Sequence, residues 1–405
     1  MPGGITLHRR VMLFGLLFGS LRMLIGPVSA LYLLARGLSL SGIAYLKGLQ
    51  ALIILLVDAP FGYLADRYSY KLSLVAGVVS GGLWLGLTAY SPHVSWLYTG
   101  EVFNALSLAF FNGAFEAVLV AASRKEGRRE PLDAVFGAYA KYEFLAMAAA
   151  AAVGGLGARV DSSFFWWAGA AGLFGLAGAS AWLLSGVPRP EPSARGALRS
   201  DIAQVWRYLR RQPADLVRLF AVILTLNLYY QIMIQYWQPI LAEAGMARRA
   251  FFFSAAFIGI LLVQSVAGAA AARLGRRLRG YFPLWLGLGA SGLAVFGGVW
   301  TRGLLLAIAG LLLFFLGYRT SSVLLAADLH ARLEDWVRAT YPSVLSTALR
   351  VGLILLYPLV GWGVNRAGLG AIGLIGLVLG MGLLLTPASR GLGRVSGERS
   401  VPGSG

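Results

Sequence analysis

Twelve runs of predominantly apolar residues follow one another along this chain, each 19 to 27 residues long. Charged, proline and glycine clusters bound them at 11–35, 42–65, 72–90, 95–121, 134–158 and 163–186 in the first half. In the second half they fall at 215–241, 250–272, 281–300, 303–327, 339–364 and 368–387. An α-helix rises ~1.5 Å per residue, so ~20 residues cross a hydrocarbon layer ~30 Å thick. The runs predict an all-α polytopic membrane protein with twelve transmembrane helices. A membrane β-barrel would need ~10-residue strands of alternating polarity, and the sequence has no such pattern. Apolar residues make up 58% of the chain and charged ones 13%, against ~25% charged in soluble domains.

The formal net charge is +18. In a soluble protein that would point to nucleic acid; here the Lys and Arg residues flank the spans, where they set orientation. With the N-terminus inside, 24 of them fall on inner segments and 7 on outer loops and adjoining helix ends. Both termini are therefore expected in the cytoplasm, and no nucleic-acid partner is expected. The chain has no cysteine, and His8, His93 and His330 lie in separate flanks. No metal site and no cofactor are expected. The opening MPGGITLHRR lacks a short apolar core with a cleavage pattern and reads as leading into a retained first helix.

The segment 187–214 changes character: VPRPEPSARG is proline-rich and ALRSDIAQVWRYLRRQ is basic and amphipathic. It reads as a cytoplasmic linker lying along the membrane surface. It separates a six-helix bundle over 1–186 from a second over 215–389, and residues 390–405 read as a disordered tail. The halves also repeat. GYLADRYSYK at 62–71 and GAAAARLGRR at 268–277 stand 206 residues apart, and the same offset maps Gly155 and Gly157 onto Gly361 and Gly363. Duplicated bundles facing each other suit alternating access to a site near the midplane.

An ionisable side chain at mid-bilayer costs at least ~2.5–3.5 kcal/mol on insertion scales, so each needs a reason. Arg22, Asp58, Glu116, Lys141, Glu143, Arg319 and Arg350 all fall within spans. The seventh span, LTLNLYYQIMIQYWQP, places Asn227, Gln231, Gln235 and Gln238 on one helical face, flanked by Tyr230 and Trp237. Four amides cannot face lipid. They read either as an interhelical hydrogen-bond ladder or as a substrate wall of amides and aromatics. Pro239 should break the helix just beyond. Arg22, Arg319 and Arg350 against Glu116 lean toward an anionic or zwitterionic cargo.

GYLADRYSYK, between the second and third spans, resembles the G-x-L-A-D-R-x-G-R-K signature of the major facilitator superfamily. Gly62, Leu64, Ala65, Asp66, Arg67 and Lys71 match, while Ser69 and Tyr70 replace the usual Gly and Arg. The second copy keeps Gly268, Arg273, Gly275, Arg276 and Arg277 but has Ala272 in place of the acid. VDAPFGYLADR and FNGAFEAVL resemble elements of a bacterial branch, with Glu101 where that branch usually has Arg.

The resemblance implies a twelve-helix secondary transporter in the bacterial inner membrane, acting as a monomer. Its first, fourth, seventh and tenth helices would line the cavity, drawing in Arg22, Glu116 and Arg319. Glu116, Glu143 and Asp58 are the candidate proton carriers. The two loops would latch the inner ends, with Gly62, Asp66, Arg67, Lys71, Gly268, Arg273 and Arg277 as gating residues and the acid only in the first copy. The leading functional expectation is proton-coupled efflux of a small organic molecule. A proton-coupled importer of a carboxylate-rich metabolite or metal chelate stays open, as does a non-transporting scaffold or sensor. No nucleophile–base pair or phosphate loop suggests an enzyme.

Overall fold

The computed structural model describes residues 5–127, 132–156, 159–188, 214–277, 280–333 and 335–385. Residues 189–213 of the expected linker and the whole expected tail lie outside them. Thirteen helices occur among the described residues. In the first half these are α1 (Leu7–Met23), α2 (Ser29–Ala35), α3 (Leu40–Arg67), α4 (Tyr70–Tyr90), α5 (Val94–Lys125), α6 (Leu132–Gly154) and α7 (Phe164–Leu183). In the second half they are α8 (Ala214–Glu243), α9 (Ala250–Arg277), α10 (Phe282–Trp300), α11 (Leu304–Arg332), α12 (Asp335–Ala367) and α13 (Gly370–Leu384). Nine of them are long and apolar enough to cross a membrane.

Helix boundaries follow local chemistry. Ser39 Oγ accepts from Gly42 N (2.9 Å) and caps α3. Ser69 Oγ accepts from Leu72 N (3.3 Å) and caps α4, so the residue that departs from the signature starts the next helix.

The first span, expected as one helix over 11–35, is in fact two. Residues 24–28 form turns between α1 and α2. Pro27 lacks an N–H and its ring obstructs the preceding turn. Tight bonds replace the helical ladder there: Gly26 N to Met23 O (3.0 Å) and Val28 N to Ile25 O (3.1 Å). Pro239, by contrast, does not break α8, which continues through it to Glu243. The proline removes one backbone donor only a turn from the helix end, where little ladder remains to lose.

The two halves pack by one plan. In the first, α4 packs on α5 and α7, α3 on α5, and α1 on α6. In the second, α10 packs on α11 and α13, α9 on α11, and α8 on α12. Between halves, α3 packs on α12, α6 on α9, and α2 on α8. One end of the assembly carries the turns with Arg67, Lys71, Arg124 and Lys125, and is called the basic end; the other is the far end.

One of the two repeated glycine pairs explains itself at the far end; Gly157 lies outside the described residues, and nothing lies within 4 Å of where a side chain at Gly363 would begin. A side chain added at Gly155 would meet Ser254 Oγ of α9 at 2.5 Å, and one at Gly361 would meet Ser41 Cα of α3 at 3.2 Å. Repeat-related glycines thus let α6 approach α9 and α12 approach α3. Asn365 Nδ2 donates to Ser41 Oγ (2.9 Å) and Tyr236 OH to Leu40 O (2.8 Å), closing the same end.

Candidate functional site

A cavity of about 430 Å³ lies between the halves. Its first-half wall is ionic. Arg22, on the last turn of α1, donates to Ser107 Oγ (3.0 Å) and to Asn104 Oδ1. Its guanidinium lies over Trp84, 4.5 Å from the ring centroid, and Phe18, 5.1 Å away. Asn104 Nδ2 donates in turn to Glu101 Oε1 (3.0 Å), and Lys47 Nζ pairs with the same oxygen at 2.7 Å.

Glu101, Asn104 and Ser107 recur every three residues of α5, which turns them to one face. Glu101 is 2% exposed and Asn104 3%. A carboxylate so buried is tolerable only with close partners, and here one oxygen serves both Lys47 and Asn104. Two cations and one anion leave this wall with one positive charge in excess.

The second-half wall is neutral. From α8 it takes Tyr230, Ile234, Gln235, Trp237 and Gln238, and from α9 Phe257, Leu261 and Gln264. The α9 residues fall at helical spacing on one face. Tyr230 stacks on Tyr318, with centroids 4.1 Å apart and planes 12° from parallel.

The expected amide stripe divides its work. Asn227 accepts from Tyr318 OH (3.0 Å), an interhelical bond. At Gln231 the backbone carbonyl accepts from Tyr357 OH (3.2 Å), and the side chain is not part of the cavity lining. Gln235 and Trp237 line the cavity. Gln238 crosses to the first half: its Nε2 donates to Gly26 O and its Oε1 accepts from Ala30 N, each at 2.8 Å. This one amide bridges Gly26 O, inside the break between α1 and α2, and Ala30 N, in the first turn of α2.

The other candidate residues fall elsewhere. Glu116 is exposed and outside the cavity lining. Glu143 accepts from Tyr139 OH (3.1 Å) and is half-buried. Arg319 is exposed; its Nε lies 3.3 Å from where a side chain at Gly268 would begin. Asp58 and Arg350 meet at 4.0 Å across the α3–α12 seam. Among the gating candidates, Arg67 is exposed and donates to Tyr63 OH (2.7 Å) on its own helix. Lys71 is half-buried and Arg273 exposed. Nothing lies within 4 Å of where a side chain at Gly62 would begin, so no close approach requires that glycine. The side chains of Asp66, Ala272 and Arg277 lie outside the described residues. No three histidine or acidic side chains that could hold a metal come together among the described residues.

Sequence reasoning missed Lys47, Glu101, Asn104 and Gln264. The signal for two of them was present: Glu101, Asn104 and Ser107 form the same kind of polar stripe in α5 that singled out the amides of α8.

Two bundles built on one packing plan, around a cavity walled by both and carrying charged and amide side chains, define a membrane carrier. The family model described as Major Facilitator Superfamily matches residues 11–355, and the chain belongs to that superfamily of transporters. Solved structures share the fold at low identity. The nucleoside transporter NupG superposes with a TM-score of 0.76 at 13% identity, over 93% of this chain and 96% of that one. A D-xylose-proton symporter gives 0.66 at 15%, over 95% and 98%. A POT family transporter in complex with 5-aminolevulinic acid gives 0.65 at 11%, over 92% and 95%. No curated protein matches the sequence.

Proposed function

We propose that this chain moves a small anionic or zwitterionic organic molecule through the cavity by alternating access, coupled to protons. The observation that carries the reading is the Lys47–Glu101–Asn104–Arg22 chain on the cavity wall. It offers cations to a solute anion and holds a carboxylate at the same place. The charge asymmetry favours a cytoplasmic basic end in a bacterial inner membrane. With the far end closed, the conformation is then inward-facing.

The chemistry of Glu101 bears on the direction of coupling. A solute anion that takes over Lys47 or Arg22 leaves Glu101 buried without its counter-charges, a costly state that a bound proton relieves. Solute and proton then travel together, which favours the proton-coupled importer; one structural neighbour is itself a D-xylose-proton symporter. Efflux by antiport is the second reading. It follows for a solute whose ammonium group competes with the proton for Glu101, as a zwitterion could.

The test uses vesicles containing the purified chain, a panel of small carboxylates and amino acids, and an internal pH dye. Uptake of a carboxylate should carry protons inward. Glu101→Gln should abolish that proton movement while solute exchange across equal concentrations persists. Full proton coupling in Glu101→Gln would sink the assignment, and no solute flux across the panel would sink the transport reading.

A further inference from the structure

Gln264 sits in the middle of α9 and is only 8% exposed, yet it lines the cavity. Among the described residues its side-chain amide has no hydrogen-bond partner, and its polar atoms are open to the cavity. Neighbouring positions on that face, Phe257 and Leu261, are apolar. An amide in a spanning helix is expensive unless its donor and acceptor are met. Gln238, on the preceding helix, shows the satisfied alternative, with both ends bonded to backbone at the closed far end.

We propose that Gln264 reads the cargo: its amide pairs with a planar donor–acceptor edge on a ring-bearing carboxylate. This rests on the proposed solute site. The carboxylate meets Arg22 and Lys47 on the opposite wall. A primary amide presents one acceptor and two donors from a single plane, which complements a cyclic amide edge. The space between the walls is flanked by rings, Trp84, Trp166, Tyr230 and Phe257 among them, which suit a flat solute. The class is therefore an aromatic or heteroaromatic carboxylate bearing an amide-like edge.

Three probes separate the parts: 6-hydroxynicotinate, whose pyridone form carries both groups; benzoate, with the carboxylate alone; and 2-pyridone, with the edge alone. Binding to the purified full-length chain is followed by tryptophan fluorescence, since Trp84, Trp166 and Trp237 line the cavity. The wild type should bind 6-hydroxynicotinate at least tenfold more tightly than either partial probe. Gln264→Leu should erase that preference, leave benzoate affinity as it was, and melt no lower than the wild type without ligand. A purely structural amide would instead make the leucine variant melt lower.

Arg22→Gln should weaken both carboxylates alike. If it does, and the tenfold preference survives in Gln264→Leu, the role of Gln264 is overturned while the solute site stands. If Arg22→Gln leaves both carboxylates unaffected, the solute site itself falls and this inference with it. A wild type that shows no preference, or a leucine variant that melts lower, also overturns the role.

Discussion

The two halves share a packing plan but not a chemistry. In the first, the cavity wall is a chain of charges, Lys47, Glu101 and Arg22, joined through Asn104. In the second, the wall is amide and aromatic, with Gln235, Gln264, Tyr230 and Trp237. Their opening helices differ as well: the first span is broken between α1 and α2, whereas α8 runs unbroken from Ala214 to Glu243. Duplication fixed where helices meet, as Gly155 and Gly361 show; divergence decided what each half offers to a solute. In the proposed function, charge gathered on one wall and neutral hydrogen bonding on the other would distinguish the two ends of a solute.

The contrast makes graded predictions. Removing the shared carboxylate should have the largest effect on stability. Glu101→Ala leaves Lys47 in a site where it is only 14% exposed, and breaking such a pair should cost about 3–5 kcal/mol. Thermal unfolding of the purified protein measures it, and a loss under ~1 kcal/mol would mean that water reaches the pair freely. Next come the repeat glycines. Gly155→Leu and Gly361→Leu should each overpack the far end by about 1–3 kcal/mol. Both should shift the molecule toward far-end-open, read as spin-label distances between the far ends of α3 and α12. An effect from one substitution alone would break the equivalence of the halves. The Asp58–Arg350 pair should matter least. Its atoms are 4.0 Å apart and Asp58 is 46% exposed, so a double-mutant cycle should give about 0.2–1 kcal/mol, shrinking with salt.

Much of this was legible in the sequence. Span existence and order follow from apolar run length alone, and the 206-residue offset exposed the duplication before any contact was known. The break in the first span was harder to see. Gly26 and Pro27 stand in an apolar run long enough to cross in one piece, while Pro239 sits in an equally long run and leaves its helix intact.

The cavity was legible only in part. Arg22 was singled out by its depth in the first span. Lys47 and Glu101 each stand seven residues inside a far-end helix start, where a charge reads as part of a loop flank. Glu116 has the right depth in its helix but the wrong face, and a single helix does not reveal which face meets a partner. The amide stripe of α8 was real as a stripe. Its division between an interhelical bond at Asn227 and an inter-half clamp at Gln238 depends on neighbours more than 80 residues away in sequence.

In the proposed function the cavity opens to one side at a time, and the Gln238 clamp holds the far side shut. The chain has no cysteine, so a single Gln235→Cys can be probed with a membrane-impermeant thiol reagent. Vesicles of the two orientations present the two ends separately. Labelling should be rapid from the basic end and slow from the far end, with the far-end rate rising when Gln238→Ala is added. Equal labelling from both ends with the clamp intact, or a far-end rate unmoved by Gln238→Ala, would contradict it.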